Sequence, residues 1–175
     1  MDTVLHWIGQ GMGLIAIFLG FVSYQMKNQR RLILAQSATA LCFCIHYLLL
    51  GAITGLAMNG VALVRNGVYY FRNQKGQKGL ALPIAFAVVM GSMGVWAWEG
   101  WYSLFSIVGL VINTLCLAAP HPQQVRKSIL VTSPLVIIYD VFVFSIGGVI
   151  YESVAIISSI VGIWRSRQQP AVYQS

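Results

Sequence analysis

Six polar side chains interrupt long apolar runs and are the chain's candidates for chemistry: His46, Asn59, Arg65, Asn66, Asn113 and Asp140. A histidine, a carboxylate and one of several serines could make a hydrolytic triad, but the sequence has no nucleophile elbow, zinc-binding helix motif or phosphate loop. The pair in "CFC", Cys42 and Cys44, lacks the spacing of a zinc site, and with Cys116 it reads as small core residues. No catalytic residue, metal or cofactor is therefore expected, and the chain is read as a non-enzyme. Binding and packing remain. Asn59 and Asn66 stand one above the other on a helix, with Arg65 about 120° round. An unpaired charge at membrane depth costs ~2.5 kcal/mol or more, so Arg65 must snorkel to an interface, face a wet cavity or pair with a carboxylate. Asp140 must likewise find a partner or take up a proton. Their depths differ by ~9 Å or less, which makes an Arg65–Asp140 pair the expectation. His46 shares a stripe with Thr39 and Cys42, and reads first as an interhelical hydrogen-bonding group. Asn113 belongs to a small-residue face with Ser106, Gly109 and Cys116; Glu152, Ala155, Ser159 and Gly162 repeat that spacing, which suits close packing.

The elements that carry these residues are membrane spans. Of 175 residues 58% are hydrophobic and 9% charged, with a mean hydropathy of +0.75, far from soluble-domain values. The net charge of +7 does not point to nucleic acid, because the basic residues are dispersed in short loops between apolar runs. Segments near the roughly 20 residues needed to cross a bilayer are predicted at Trp7–Tyr24, Leu32–Leu50, Ile53–Phe71, Leu80–Trp98, Trp101–Ala118, Ser128–Ile146 and Val149–Trp164. Lys27, Arg30, Arg31, Arg72, Lys75, Lys78, Arg126, Lys127, Arg165 and Arg167 then fall on one side, and Asp2, Glu99 and Glu152 on the other. The enrichment of Lys and Arg in cytoplasmic loops places the N-terminus outside and the C-terminus inside. Trp7, Trp96, Trp98, Trp101 and Tyr151 would mark the outer interface, and Tyr24, Tyr69, Tyr70 and Trp164 the inner. The N-terminus lacks a basic region and is not read as a cleaved signal, and the tail "QQPAVYQS" reads as a frayed end.

An internal repeat organises the spans. An offset of 96 residues lays Arg30 on Arg126, Arg31 on Lys127, Ile33 on Ile129, Leu34 on Leu130, Ser37 on Ser133 and Gly51 on Gly147; with a two-residue gap, Tyr24-Gln25 falls on Pro122-Gln123. The fold class predicted is an all-α polytopic membrane protein of seven transmembrane helices. Its single membrane domain, 1–175, holds two parallel three-helix repeats, 8–71 and 105–167, joined by a linker helix at 80–98. Gly51-Ala52 and Gly147-Gly148 are the predicted tight turns.

The segments "WIGQGMGLIAIFLG", "QRR", "HYLLLGA", "NGVALVRN" and "SIGGVIYES…IWR" together resemble the bacterial inner membrane protein YgjV family over nearly the whole chain. That resemblance implies a multi-pass protein of the bacterial inner membrane and supplies no catalytic residue. The three-plus-one-plus-three layout more distantly resembles the SWEET and other PQ-loop transporters, and also the PnuC vitamin transporters. The PQ-loop likeness implies a hinge at Pro122 and Gln123, matched in the first half only by Tyr24-Gln25, and a solute-facing asparagine at Asn59 or Asn66. The second half offers Ser158 and Ser159 instead, which does not support sugar specificity. The function read from all this is a small-solute transporter or facilitator with a midplane site between two bundles, drawn from Asn59, Asn66, Asn113, His46, Arg65 and Asp140. The competing class is a membrane scaffold, sensor or partner-binding protein that transports nothing. Its partners are the lipid bilayer and, in the first reading, a small solute; no nucleic acid is expected.

Overall fold

The computed structural model describes residues 3–74, 79–119 and 121–167. Asp2, Lys75, Lys78 and the tail beyond 167, used above for orientation and fraying, lie outside the described residues. All regular structure among the described residues is helical: α1 Thr3–Gln25, α2 Gln29–Leu50, α3 Ile53–Gln74, α4 Ala81–Trp96, α5 Ser103–Leu117, α6 Pro122–Phe142 and α7 Ile146–Arg167. Three of them, α1, α2 and α7, are both long and apolar enough to cross a membrane, whereas α4 and α5 are apolar but shorter. At 1.5 Å per residue the 22 residues of α2 rise about 33 Å, enough to span the ~30 Å of hydrocarbon.

Local chemistry sets the helix ends. Asn28 caps α2 by accepting the Arg30 N–H at 2.9 Å, and Gly51 at φ 74° closes it. The N–H groups of Gly51 and Ala52 then satisfy Leu48 and Tyr47 carbonyls. The start of α3 has no polar residue of its own to cap it. Glu99, from the α4–α5 loop, does so with both carboxylate oxygens, accepting the N–H groups of Ile53 at 3.0 Å and Thr54 at 2.9 Å. Pro122 opens α6 at a position where its missing N–H costs nothing. Ser145 caps α7 by accepting the Gly148 N–H at 3.1 Å.

The second hairpin departs from expectation. The turn between α6 and α7 falls at 143–145, with Phe144 at φ 53°, and Gly147 and Gly148 lie inside α7. Those glycines serve packing instead. A Cβ at Gly147 would stand 2.8 Å from the Gly13 Cα of α1, and one at Gly148 would meet the Asp140 carboxylate at 2.5 Å. Several helix bounds recur at an interval of 93 residues, not the 96 read from the sequence. Gln29 and Pro122, Ile53 and Ile146, Gln74 and Arg167, and the positive-φ residues Gly51 and Phe144, are each 93 apart.

Neighbouring helices close a ring in the order α1, α2, α3, α5, α6, α7 and back to α1, with α4 outside against α3 and α5. Apolar side chains cover the outside: Phe18, Val88 and Ile157 are each more than 60% exposed. Trp7, Trp96, Trp98, Trp101 and Trp164 also face outward, but Tyr24, Tyr69 and Tyr151 are buried rather than interfacial. A soluble core would bury such apolar area, so its exposure on every side fits a lipid solvent.

Candidate functional site

Inside the ring lies a cavity of about 70 Å³. Helix α2 contributes Gln36, Thr39 and Phe43 at helical spacing, and α6 contributes Ile129, Thr132 and Val136 in the same way. Asn59, Arg65 and Asn66 come from α3, Ser106 and Asn113 from α5, and Tyr151 and Glu152 from α7. Tyr24 of α1 reaches it as well, its hydroxyl 3.0 Å from that of Tyr151.

Arg65 is only 2% exposed, and its solvation comes from protein. Nε and Nη2 donate to Asn66 Oδ1 at 3.0 and 2.8 Å, and Nη1 donates to Thr114 Oγ1 at 2.6 Å. Three of its five N–H groups are thereby used, and the guanidinium plane is held by α3 and α5 together. Asn113 Oδ1 is buried without a hydrogen-bond partner. Such an orphan acceptor costs about 1–3 kcal/mol unless something else supplies a donor.

A polar layer closes the cavity toward the α2–α3 and α6–α7 turns. Tyr47 Oη donates to Asp140 Oδ1 at 2.5 Å, and both residues are buried. His46 accepts or donates at two contacts of 2.7 Å, from Nδ1 to the Gly9 carbonyl and from Nε2 to Ser145 Oγ. Because a carbonyl only accepts, Nδ1 carries a proton. On the other side of the ring the Tyr139 hydroxyl accepts the Gly55 N–H at 2.7 Å and donates to Glu99 at 3.1 Å. Gln10 of α1 ties into the same layer by donating to the Phe144 carbonyl and accepting the Gly147 N–H, both at 3.2 Å.

Apolar packing dominates the opposite end. Leu32, Ile33, Tyr69, Leu117 and Val125 form one buried apolar cluster from the ends of α2, α3, α5 and α6. Beside it, the Arg126 guanidinium donates to the Tyr24 carbonyl from Nη2 at 3.1 Å, and Gln25 donates to Ser158 Oγ at 2.8 Å. Gly162 leaves room for Arg126 to cross α7, since a Cβ there would lie 2.7 Å from its Nε.

The structure thus separates the six polar residues read from the sequence. Asn59, Arg65, Asn66 and Asn113 line the cavity, whereas His46 and Asp140 stand in the layer that closes it. The expected Arg65–Asp140 pair does not form, because Arg65 bonds Asn66 and Thr114 while Asp140 bonds Tyr47. Nor does Arg65 snorkel. Asn59 uses its amide on the Gly55 carbonyl at 2.9 Å. Pro122 and Gln123 begin α6 rather than end α5, and the proline within a helix is Pro134. Glu152, Thr39 and Thr132 were not singled out as site residues although they line the cavity.

Comparison with known proteins gives one consistent assignment. The model of a bacterial inner membrane protein family, Imp-YgjV, matches residues 7–170. Inner membrane protein YgjV of Escherichia coli (strain K12) is 21% identical over 167 residues, covering 94% of this chain and 88% of that protein. No solved structure matches the chain.

Proposed function

The chain belongs to the bacterial inner membrane protein family Imp-YgjV, and from that premise we propose that it is a small-solute transporter or facilitator whose site is the central cavity. The observation that carries this reading is the cavity itself: a chamber at mid-ring lined by Asn59, Arg65, Asn66, Asn113 and Glu152, with a hydrogen-bonded layer toward one end and an apolar cluster toward the other. A buried Arg65 and an orphan Asn113 acceptor on one cavity wall are costly to a scaffold. A carrier needs such groups.

In this reading the ring is a pair of three-helix repeats, α1–α3 and α5–α7, with α4 as linker and every helix a span. Support comes from the offset of 93, at which equivalent positions meet or face each other. Tyr47 and Asp140 are equivalents and bond one another; Gly55 underlies the Tyr47 ring as Gly148 underlies the Asp140 carboxylate. His46 and Tyr139 are equivalents, and each reaches the first turn of the third helix in the other repeat. Neighbours repeat as well: α1 on α2 as α5 on α6, α2 on α3 as α6 on α7, and α1 on α7 as α5 on α3. Such equivalence supports reading an axis along the membrane normal through the cavity, the parallel arrangement of several transporter folds.

Access would alternate by parting the Tyr47–Asp140 layer or the apolar plug in turn. The one-sided basic loops support a reading with that layer on the outer face and the N-terminus outside. The solute passes unchanged, so no cofactor or catalytic group is required. The test is uptake of labelled small polar metabolites by a deletion strain with and without the restored chain. Thr39→Phe with Thr132→Phe fills the cavity and should abolish any chain-dependent uptake at an unchanged membrane level. Uptake that survives the filled cavity sinks the reading.

A further inference from the structure

The cavity's charges specify its occupant more narrowly. Two side chains of opposite formal charge line it, Arg65 of α3 and Glu152 of α7. The hydrogen bonds of Arg65 go to Asn66 and Thr114, so the guanidinium is oriented without a carboxylate partner. The two groups also sit at different depths. Arg65 is 12 residues along α3 and Glu152 six along α7, a difference in rise of about 9 Å before the side chains reach inward. The chamber is therefore bipolar, with a cation toward the apolar plug and a carboxyl group toward the polar layer. Between them stand neutral groups, Thr39, Thr132 and the partnerless Asn113 Oδ1.

Resting on the carrier reading, we propose that the solute is a small zwitterion, bearing one carboxylate and one ammonium group. Its carboxylate faces the two unused N–H groups of Arg65, in the charge-assisted geometry guanidinium favours. Its ammonium group donates to Glu152 and to Asn113 Oδ1. Size agrees with charge: a chamber of about 70 Å³ holds roughly five water-sized spheres. That suits glycine, alanine or a short ω-amino acid better than a disaccharide or nucleoside. A singly charged solute would leave one of the two side chains facing it uncompensated in a low-dielectric chamber, which is the stronger penalty.

The experiment uses the purified full chain in nanodiscs and reads binding by calorimetry. Glycine, alanine and 4-aminobutanoate are compared with propionate, ethylammonium and glycerol. At least one zwitterion should bind about tenfold more tightly than every single-function probe, the factor one hydrogen bond to a charged group supplies. In Glu152→Gln the preferred zwitterion should fall to the affinity of propionate. In Arg65→Gln it should fall to that of ethylammonium; if that variant misfolds, Arg65→Lys, which keeps the charge and loses the fork, should retain a weakened preference. Glycerol or a singly charged probe binding as well as the zwitterions overturns the proposal, and so does a folded chain that binds none of the six. The carrier reading fails separately, when a zwitterion binds but chain-loaded vesicles do not accumulate it.

Discussion

Tyr47 and Asp140 make the shortest contact between the two halves of the cavity's closing layer, and their environment leaves little to replace it. Gly148 gives up its side chain so that the carboxylate fits, and Oδ1 takes the tyrosine hydrogen bond. Tyr47→Phe should cost about 1–3 kcal/mol in detergent stability, and much less when Asp140→Asn is already present. By contrast Arg65→Gln and Asp140→Asn should add within roughly 0.5 kcal/mol, because the two residues share no partner. Thermal unfolding of both cycles separates the cases, and additive losses in the first would mean that the Tyr47 bond contributes little. The sequence made all six polar positions legible as groups at membrane depth, and four of them do line one chamber. It misjudged the Arg65 pairing because depth along a helix is readable from residue counts, whereas azimuth around the ring depends on which helices are neighbours. Thr114, the residue that orients Arg65, sits in an apolar stretch of α5 where a lone threonine carries no signal.

Glycine was the ambiguous element signal. Gly51 ends α2 through its positive φ, yet Gly147 and Gly148 are in α7 because their missing side chains admit Gly13 and Asp140. Glycine-glycine pairs announce turns and close helix crossings equally well, and a phenylalanine at φ 53° announces nothing, so the second turn was misplaced. Helix existence was legible from the apolar runs. The start of α6 was not, since "PQQVRK" reads as loop until Pro122 is recognised as a helix-opening residue. Packing glycines also make a prediction. A Cβ on Gly20 of α1 would stand 2.0 Å from the Tyr151 ring, while one on Gly60 of α3 meets nothing within 4 Å. Gly20→Ala should therefore lower stability by about 1–3 kcal/mol through overpacking, and Gly60→Ala should be neutral or slightly stabilising. Equal melting temperatures for the two variants would show that α1 and α7 do not approach as closely as the Gly20–Tyr151 contact requires.

For the whole molecule, the two ends of the cavity are closed by unlike means, and that difference can be used to test both gating and orientation. The apolar plug of Leu32, Ile33, Tyr69, Leu117 and Val125 is nondirectional, so removing one side chain leaves the others packed. The polar layer is directional: its bonds from Tyr47 to Asp140 and from His46 to Ser145 join the halves one by one, and losing one releases a defined contact. A reporter thiol is available in Thr39→Cys, on the cavity wall and 3% exposed in the parent residue, once Cys42, Cys44 and Cys116 are replaced by alanine. A membrane-impermeant maleimide added to intact cells should label it slowly. If the polar layer is the outer gate, adding Tyr47→Phe raises the open fraction, and a shift of about 1.4 kcal/mol raises the labelling rate about tenfold. Acceleration seen only in inside-out vesicles would place the layer on the cytoplasmic face and reverse the orientation drawn from the basic loops. Acceleration on neither side would mean that Tyr47 and Asp140 hold the bundle together without governing entry, because a cavity whose gate has been weakened must become easier to reach from the side that gate faces.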